Sequence, residues 1–208
     1  MRTVKDLTIR PDIVIRTVID GVRVRYFGPI SYYFLLLTVY AILVSILDID
    51  LSGFSRSIAQ EIDPSNESSQ AIQEQFNSVI FSNFRVFSFL MVPLFSLGTY
   101  LVFYNKGFNF LETSVLTFYG MGHPTILSIF ALFLYQYSAF TTVNAVLPFI
   151  SALYFGWACA RFYSGNKIWN FFKGLFAMII AFGMIMLLAI IGFIVYLVIN
   201  PEAMEKFQ

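Results

Sequence analysis

With one cysteine and one histidine, this 208-residue chain has almost none of the side chains from which metal and redox chemistry are built. Cys159 alone excludes an intramolecular disulfide. Together with His123 it gives at most two conventional ligands, where zinc takes three or four. Haem or pigment attachment would also need ligating residues that the chain hardly has, so no cofactor and no metal is expected. Charge is scarce as well. Only 12% of the residues are charged against 58% hydrophobic, roughly half the charged share of a soluble domain, and no water-soluble surface can be assembled from such a composition. A net charge of +1 leaves no concentrated basic face, which argues against nucleic acid as a partner. Catalysis by hydrolysis or group transfer needs several convergent polar groups, and the apolar stretches hold one histidine and almost no carboxylate, so no enzyme is expected.

Long uncharged runs are what the chain has instead. From Gly174 to Ile199 there are 26 residues without a charge, more than the roughly 20 that cross a hydrocarbon core. Four more such stretches precede it, at Ile30–Leu47, Val86–Tyr104, Thr113–Tyr135 and Val143–Ala160. The expected fold is all-α, a polytopic membrane protein of five transmembrane helices behind an N-terminal amphipathic interfacial helix. Residues 1–29 form the cytoplasmic amphipathic segment, 30–199 the membrane domain, and 200–208 a tail. Threading the chain through five spans puts Arg2, Lys5, Arg10, Arg16, Arg23, Arg25, Lys106, Arg161, Lys167 and Lys173 on one side and only Arg56, Arg85 and Lys206 on the other. The side rich in Lys and Arg is the cytoplasmic one, which places the N-terminus inside and the C-terminus outside. The loop 48–85 then lies outside. It is acidic and carries two weak helical patterns, at 51–62 and 70–81, around a turn at Asp63-Pro64-Ser65-Asn66.

From Pro11 onward the spacing predicts a helix with Asp12, Arg16, Asp20 and Arg23 on one face and Val14, Ile15, Val18, Ile19 and Val22 on another. Its apolar face is expected in the acyl boundary. The basic residues Arg10, Arg16, Arg23 and Arg25 are expected toward headgroups, with Asp12 and Arg16 paired at i,i+4 spacing. Gly28-Pro29 ends this segment before the first span.

Few residues within the spans are candidates for anything beyond packing. His123 lies about eleven residues, or roughly 16 Å, past Glu112, near mid-membrane. Either it satisfies the backbone carbonyl freed by Pro124, the favoured expectation, or it is a proton-sensitive or substrate-contacting group. Glu112 and Arg161, both near the cytoplasmic face, either pair or snorkel separately, and Asn144 is a further candidate for a polar site. Pro93, Pro124 and Pro148 put expected breaks in three spans. Tyr32-Tyr33, Tyr135 to Tyr137 and Phe162-Tyr163 read as interfacial belts.

The run LTIRPDIVIRTVIDGVRVRYFGPISYY, Leu7 to Tyr33, resembles the introducing segment of an uncharacterised family of bacterial membrane proteins found mainly in Bacteroidota, through Arg10-Pro11, Gly21, Arg23, Arg25-Tyr26 and Pro29. Members of that family typically begin with a cysteine-pair zinc ribbon that this chain lacks, so any function of the ribbon is not carried over. The five-span pattern, with Gly120, Gly122 and Pro124 in the third span, is similar to bacterial members of the YIP (Ypt-interacting-protein) family. These likenesses imply a bacterial inner-membrane location and an organising role. The expectation is a non-enzymatic adaptor or accessory subunit, in contact with the lipid bilayer and with partner subunits or further copies of itself. The alternative is a small transporter or channel with His123 in a mid-membrane polar site.

Overall fold

The computed structural model describes residues 2–22, 24–49, 84–135 and 139–199. Arg23, the helical patterns of the acidic loop and the tail 200–208 lie outside the described residues. Within them the chain is helical, with no strand. Helices α1 (Arg2–Ile9) and α2 (Pro11–Ile19) are followed by α3 (Pro29–Ile46) and α4 (Phe84–Phe103). After a single 3-10 turn at Tyr104–Lys106 come α5 (Phe110–Gly122), α6 (Thr125–Leu132), α7 (Ala139–Phe162) and α8 (Lys167–Ile199). Four segments are long and apolar enough to cross a membrane: Pro29–Ile46, Phe110–Leu132, Val143–Phe162 and Lys167–Gly192. The 20-residue α4 lies where the second span is expected.

Local chemistry sets the helix boundaries. Proline opens α2 and α3, where a missing amide costs nothing because the first-turn donors have no partner within the helix. A capping box opens α5: Asn109 Oδ1 accepts from the Glu112 amide and Glu112 Oε2 from the Asn109 amide, each at 2.8 Å. At the start of α8, Asn166 Oδ1 accepts from the amides of Ile168 and Trp169. The chain turns after the 3-10 segment through Gly107 at φ +78°. Only one of the three expected proline breaks is a break. α4 and α7 run through Pro93 and Pro148, while the third span is divided at His123-Pro124 into α5 and α6.

Close helix approach holds the bundle together. Gly156 of α7 and Gly174 of α8 meet so tightly that a Cβ on Gly174 would lie 3.0 Å from both Gly156 Cα and Cys159 Cβ. Gly120 of α5 accepts the ring of Phe155 from α7 in the same way. These contacts place Tyr33, Gly120–Gly122, Phe155 and Gly174 in one layer, since Gly122 in turn meets Tyr33. Helix α3 therefore begins well along α5 rather than beside Phe110. Its first turn rests on Tyr119 and His123, and it continues along α6.

The space beneath α3 is filled by α1, which packs on α2, and by α2, which packs against α5 and α7. This differs from a single helix lying on a membrane surface. Leu7, Val14 and Ile15 are fully buried in the protein core, and Val22, past the end of α2, is exposed. Two expected aromatic belts are likewise interior: Tyr32 and Tyr33 are buried, as are Phe162 and Tyr163, with Tyr163 stacked 3.9 Å from Phe103. An amphipathic or aromatic pattern identifies a face that leaves water, whether lipid or protein receives it.

Candidate functional site

His123, 8% exposed, sits at the α5–α6 break and is bonded at both ring nitrogens. Its Nε2 is 3.0 Å from Thr8 Oγ1 of α1, and its Nδ1 is 2.9 Å from Tyr32 Oη of α3. The proton positions follow from the next bond in the chain. Thr8 donates its only hydroxyl proton to the Val4 carbonyl, 2.9 Å away, so toward His123 it is an acceptor. Nε2 then carries the imidazole proton and Nδ1 accepts from Tyr32. The neutral imidazole is thereby held in one tautomer, with its bonds running from Tyr32 through His123 and Thr8 to Val4. The ring contacts the backbone carbonyl freed by Pro124 in neither bond; side chains from two other helices satisfy it instead.

Three more tyrosines tie the N-terminal segment to this point. Tyr154, whose ring lies 5.1 Å from that of His123, donates to the Leu7 carbonyl at 3.0 Å. Tyr119 donates to the Phe27 carbonyl at 2.5 Å, and the Phe27 amide donates to Thr3 Oγ1 at 3.0 Å. Tyr26 donates to Asp6 Oδ2 at 2.9 Å; burial, with the bonded carboxylate adding to it, raises this phenol above its ordinary value.

A second group of contacts lies at the C-terminal end of α7, where the last carbonyls have no partner within the helix. Arg16 donates to the Phe162 carbonyl, with its guanidinium 5.2 Å from the Phe162 ring centre. Lys106 Nζ donates to the Ser164 carbonyl at 2.7 Å. Asn170 Nδ2 donates to the carbonyls of Tyr163, at 3.0 Å, and Ser164. Cations there also complement the negative end of the helix dipole. Arg161 Nε pairs with Asp12 Oδ1 at 3.1 Å.

The expected pairings are therefore redistributed. Asp12 and Arg16, neighbours on one helix, reach Arg161 and the Phe162 carbonyl instead of each other. Glu112 belongs to the capping box of α5 and not to Arg161. Asn144 is half-buried on α7, apart from the His123 cluster. Arg10 is exposed at the start of α2, and Arg25 lies 5.6 Å from the Tyr26 ring centre. Thr8 and Tyr154 were not foreseeable as partners of this site. A trace of α1 was present in the sequence, in the i,i+4 spacing of Arg2 with Asp6 and of Thr3 with Leu7. Among the described residues no group of three or more His, Cys, Asp or Glu could hold a metal.

The ties of α1, α2 and the first turn of α3 coincide with a region of recognisable relationship. Residues 1–41 match a family described as "Protein of unknown function (DUF3667)". The match contains the Leu7–Tyr33 segment and ends within α3. No curated protein matches the chain, and no solved structure does.

Proposed function

We propose that the chain is a five-span bacterial inner-membrane protein, N-terminus cytoplasmic, that acts without catalysis as an adaptor or accessory subunit of a membrane assembly. The supporting observation is the use to which the bundle's polar side chains are put. His123, Tyr119, Tyr154 and Arg161 all bind the chain's own N-terminal segment, and a neutral imidazole bonded at both nitrogens is suited to holding helices together. The count of five takes α4 as a span beside the four segments above. The orientation follows from the excess of Lys and Arg at the ends of α1, α2, α5, α7 and α8. The architectural likeness to the YIP family points the same way. Purification of the tagged full-length protein in mild detergent tests the proposal: partner subunits should co-purify in fixed stoichiometry, and they should persist in His123→Gln. A protein recovered alone, or as copies of itself only, would count against an accessory role.

A transporter is the second reading, favoured by the helix break at His123-Pro124 inside a span. It requires a pH-dependent flux in proteoliposomes that His123→Gln abolishes while the protein stays folded.

A further inference from the structure

The outer surface of the bundle is apolar over different heights on its two sides. On the α8 side, exposed apolar residues continue from Phe176, 55% exposed and two residues from the Gly174 layer, down through Phe172 and Trp169 to Ile168. Six residues separate Gly174 from Ile168, roughly 9 Å of helix, and the cation between them, Lys173, is half-buried with its amine 6.0 Å from the Phe103 ring centre. On the α3 side the apolar wall stops in the same layer, at Ile30, because Tyr33 meets Gly122 there. Directly beneath it come Arg25 and then α1, which is fixed at that height by its bonds to Phe27, Tyr154 and His123. The exposed residues of this region include Arg2, Lys5, Arg10 and Arg25, interleaved with Val4, Ile9, Phe27 and a Val24 that is 102% exposed.

A flat bilayer cannot satisfy both sides. If headgroups met the bundle at the level of Ile168 all the way round, four exposed cations would sit in acyl chains, each at a cost of several kcal/mol. Lifting the whole boundary to Ile30 would leave Ile168, Trp169 and Phe172 in water. We propose that the basic rim formed by Arg2, Lys5, Arg10 and Arg25 binds phospholipid headgroups several ångströms deeper than those around α8, thinning the cytoplasmic leaflet beside α3. The rim's excess of positive charge selects anionic headgroups, and Val24 with Phe27 enters between them.

This inference rests on the membrane-spanning reading above, and one experiment separates the two. Full-length Cys159→Ala protein carrying a single fluorophore at Val24→Cys, Ile30→Cys, Phe172→Cys or Phe176→Cys is reconstituted in vesicles of phosphatidylcholine with or without phosphatidylglycerol. Quenching is then read with nitroxides on the lipid headgroup and on the acyl chain. Ile30, three residues before Tyr33, and Phe172, two before Gly174, lie at nearly one height in the protein, yet Ile30 should be quenched several-fold more by the headgroup probe and Phe172 several-fold more by the acyl probe. Phosphatidylglycerol should strengthen headgroup quenching at Val24, and Lys5→Gln/Arg10→Gln/Arg25→Gln should remove that gain. Equal depth at Ile30 and Phe172, or a gain that survives the triple substitution, overturns the inference while leaving the spans in place. A Phe176 label that neither probe quenches overturns the membrane-spanning reading itself.

Discussion

Replacing Gly120 by alanine and, separately, Gly183 by alanine applies one chemical change to two helix interiors and should change stability in opposite directions. At Gly120 the new Cβ would lie 2.7 Å from Phe155 Cδ2 and 3.1 Å from Cε2. Carbon atoms prefer about 3.5 to 4.0 Å, so either the ring or a helix must move by about 1 Å. The ring has nowhere to go, because Phe155 is fully buried between α5 and the core. Overpacking of this kind costs about 1 to 3 kcal/mol, partly offset by up to ~1 kcal/mol from the better helix propensity of alanine. A net loss of about 1 to 2 kcal/mol remains. At Gly183 no atom stands within 4 Å of the added Cβ, and only the propensity gain operates. Thermal unfolding in a fixed detergent would lower Tm by roughly 2 to 8 °C for Gly120→Ala and leave Gly183→Ala unchanged or slightly raised. Phe155→Leu, destabilising alone, should cost less in the Gly120→Ala background, the sign of a shared space. Equal shifts at both glycines would falsify the close-packing account.

Further outcomes follow from the polar contacts. His123→Gln retains a donor and an acceptor and should cost at most ~1 to 2 kcal/mol, whereas His123→Ala strands the buried hydroxyl of Tyr32 and should cost more; denaturation in detergent compares them. Asp12→Arg should loosen the N-terminal segment, seen as faster proteolysis near Arg10, and Asp12→Arg/Arg161→Asp should restore much of the protection. Asn109→Ala removes half of the α5 capping box and should lower stability by about 1 kcal/mol without altering the His123 cluster.

The long apolar helices were legible because absence of charge over some 20 residues leaves few other uses, and Pro29 marks a helix start by chemistry that does not depend on the rest of the fold, whereas the caps at Asn109 and Asn166 went unread. His123 and Arg161 were identifiable for a similar reason, since ionisable groups in or beside apolar stretches must find partners. Their partners were not identifiable. Thr8 and Asp12 lie more than a hundred residues away, on a segment whose apolar stripe reads the same whether it faces acyl chains or α7. Arg16 shows the limit well. Local spacing assigned it to Asp12, but the unsatisfied carbonyls at the end of α7, created only when α7 ends in the folded bundle, are the stronger partner. Gly120 and Gly122 were visible as a motif near Pro124, yet their use, seating Phe155 and Tyr33, is a property of packing.

The long reach of the N-terminal ties has a consequence for biosynthesis. Arg16 and Asp12 leave the ribosome well before their partners Phe162 and Arg161, which follow 146 and 149 positions later. At synthesis rates of about 5 to 20 residues per second, the segment waits roughly 7 to 30 s before its seat exists. During that interval Leu7, Val14 and Ile15 need another apolar surface, and in the membrane-spanning reading proposed above a lipid surface supplies it. On that reading the amphipathic pattern serves twice in the life of one molecule, holding the nascent chain at the lipid surface until α7 arrives and then closing the bundle from beneath.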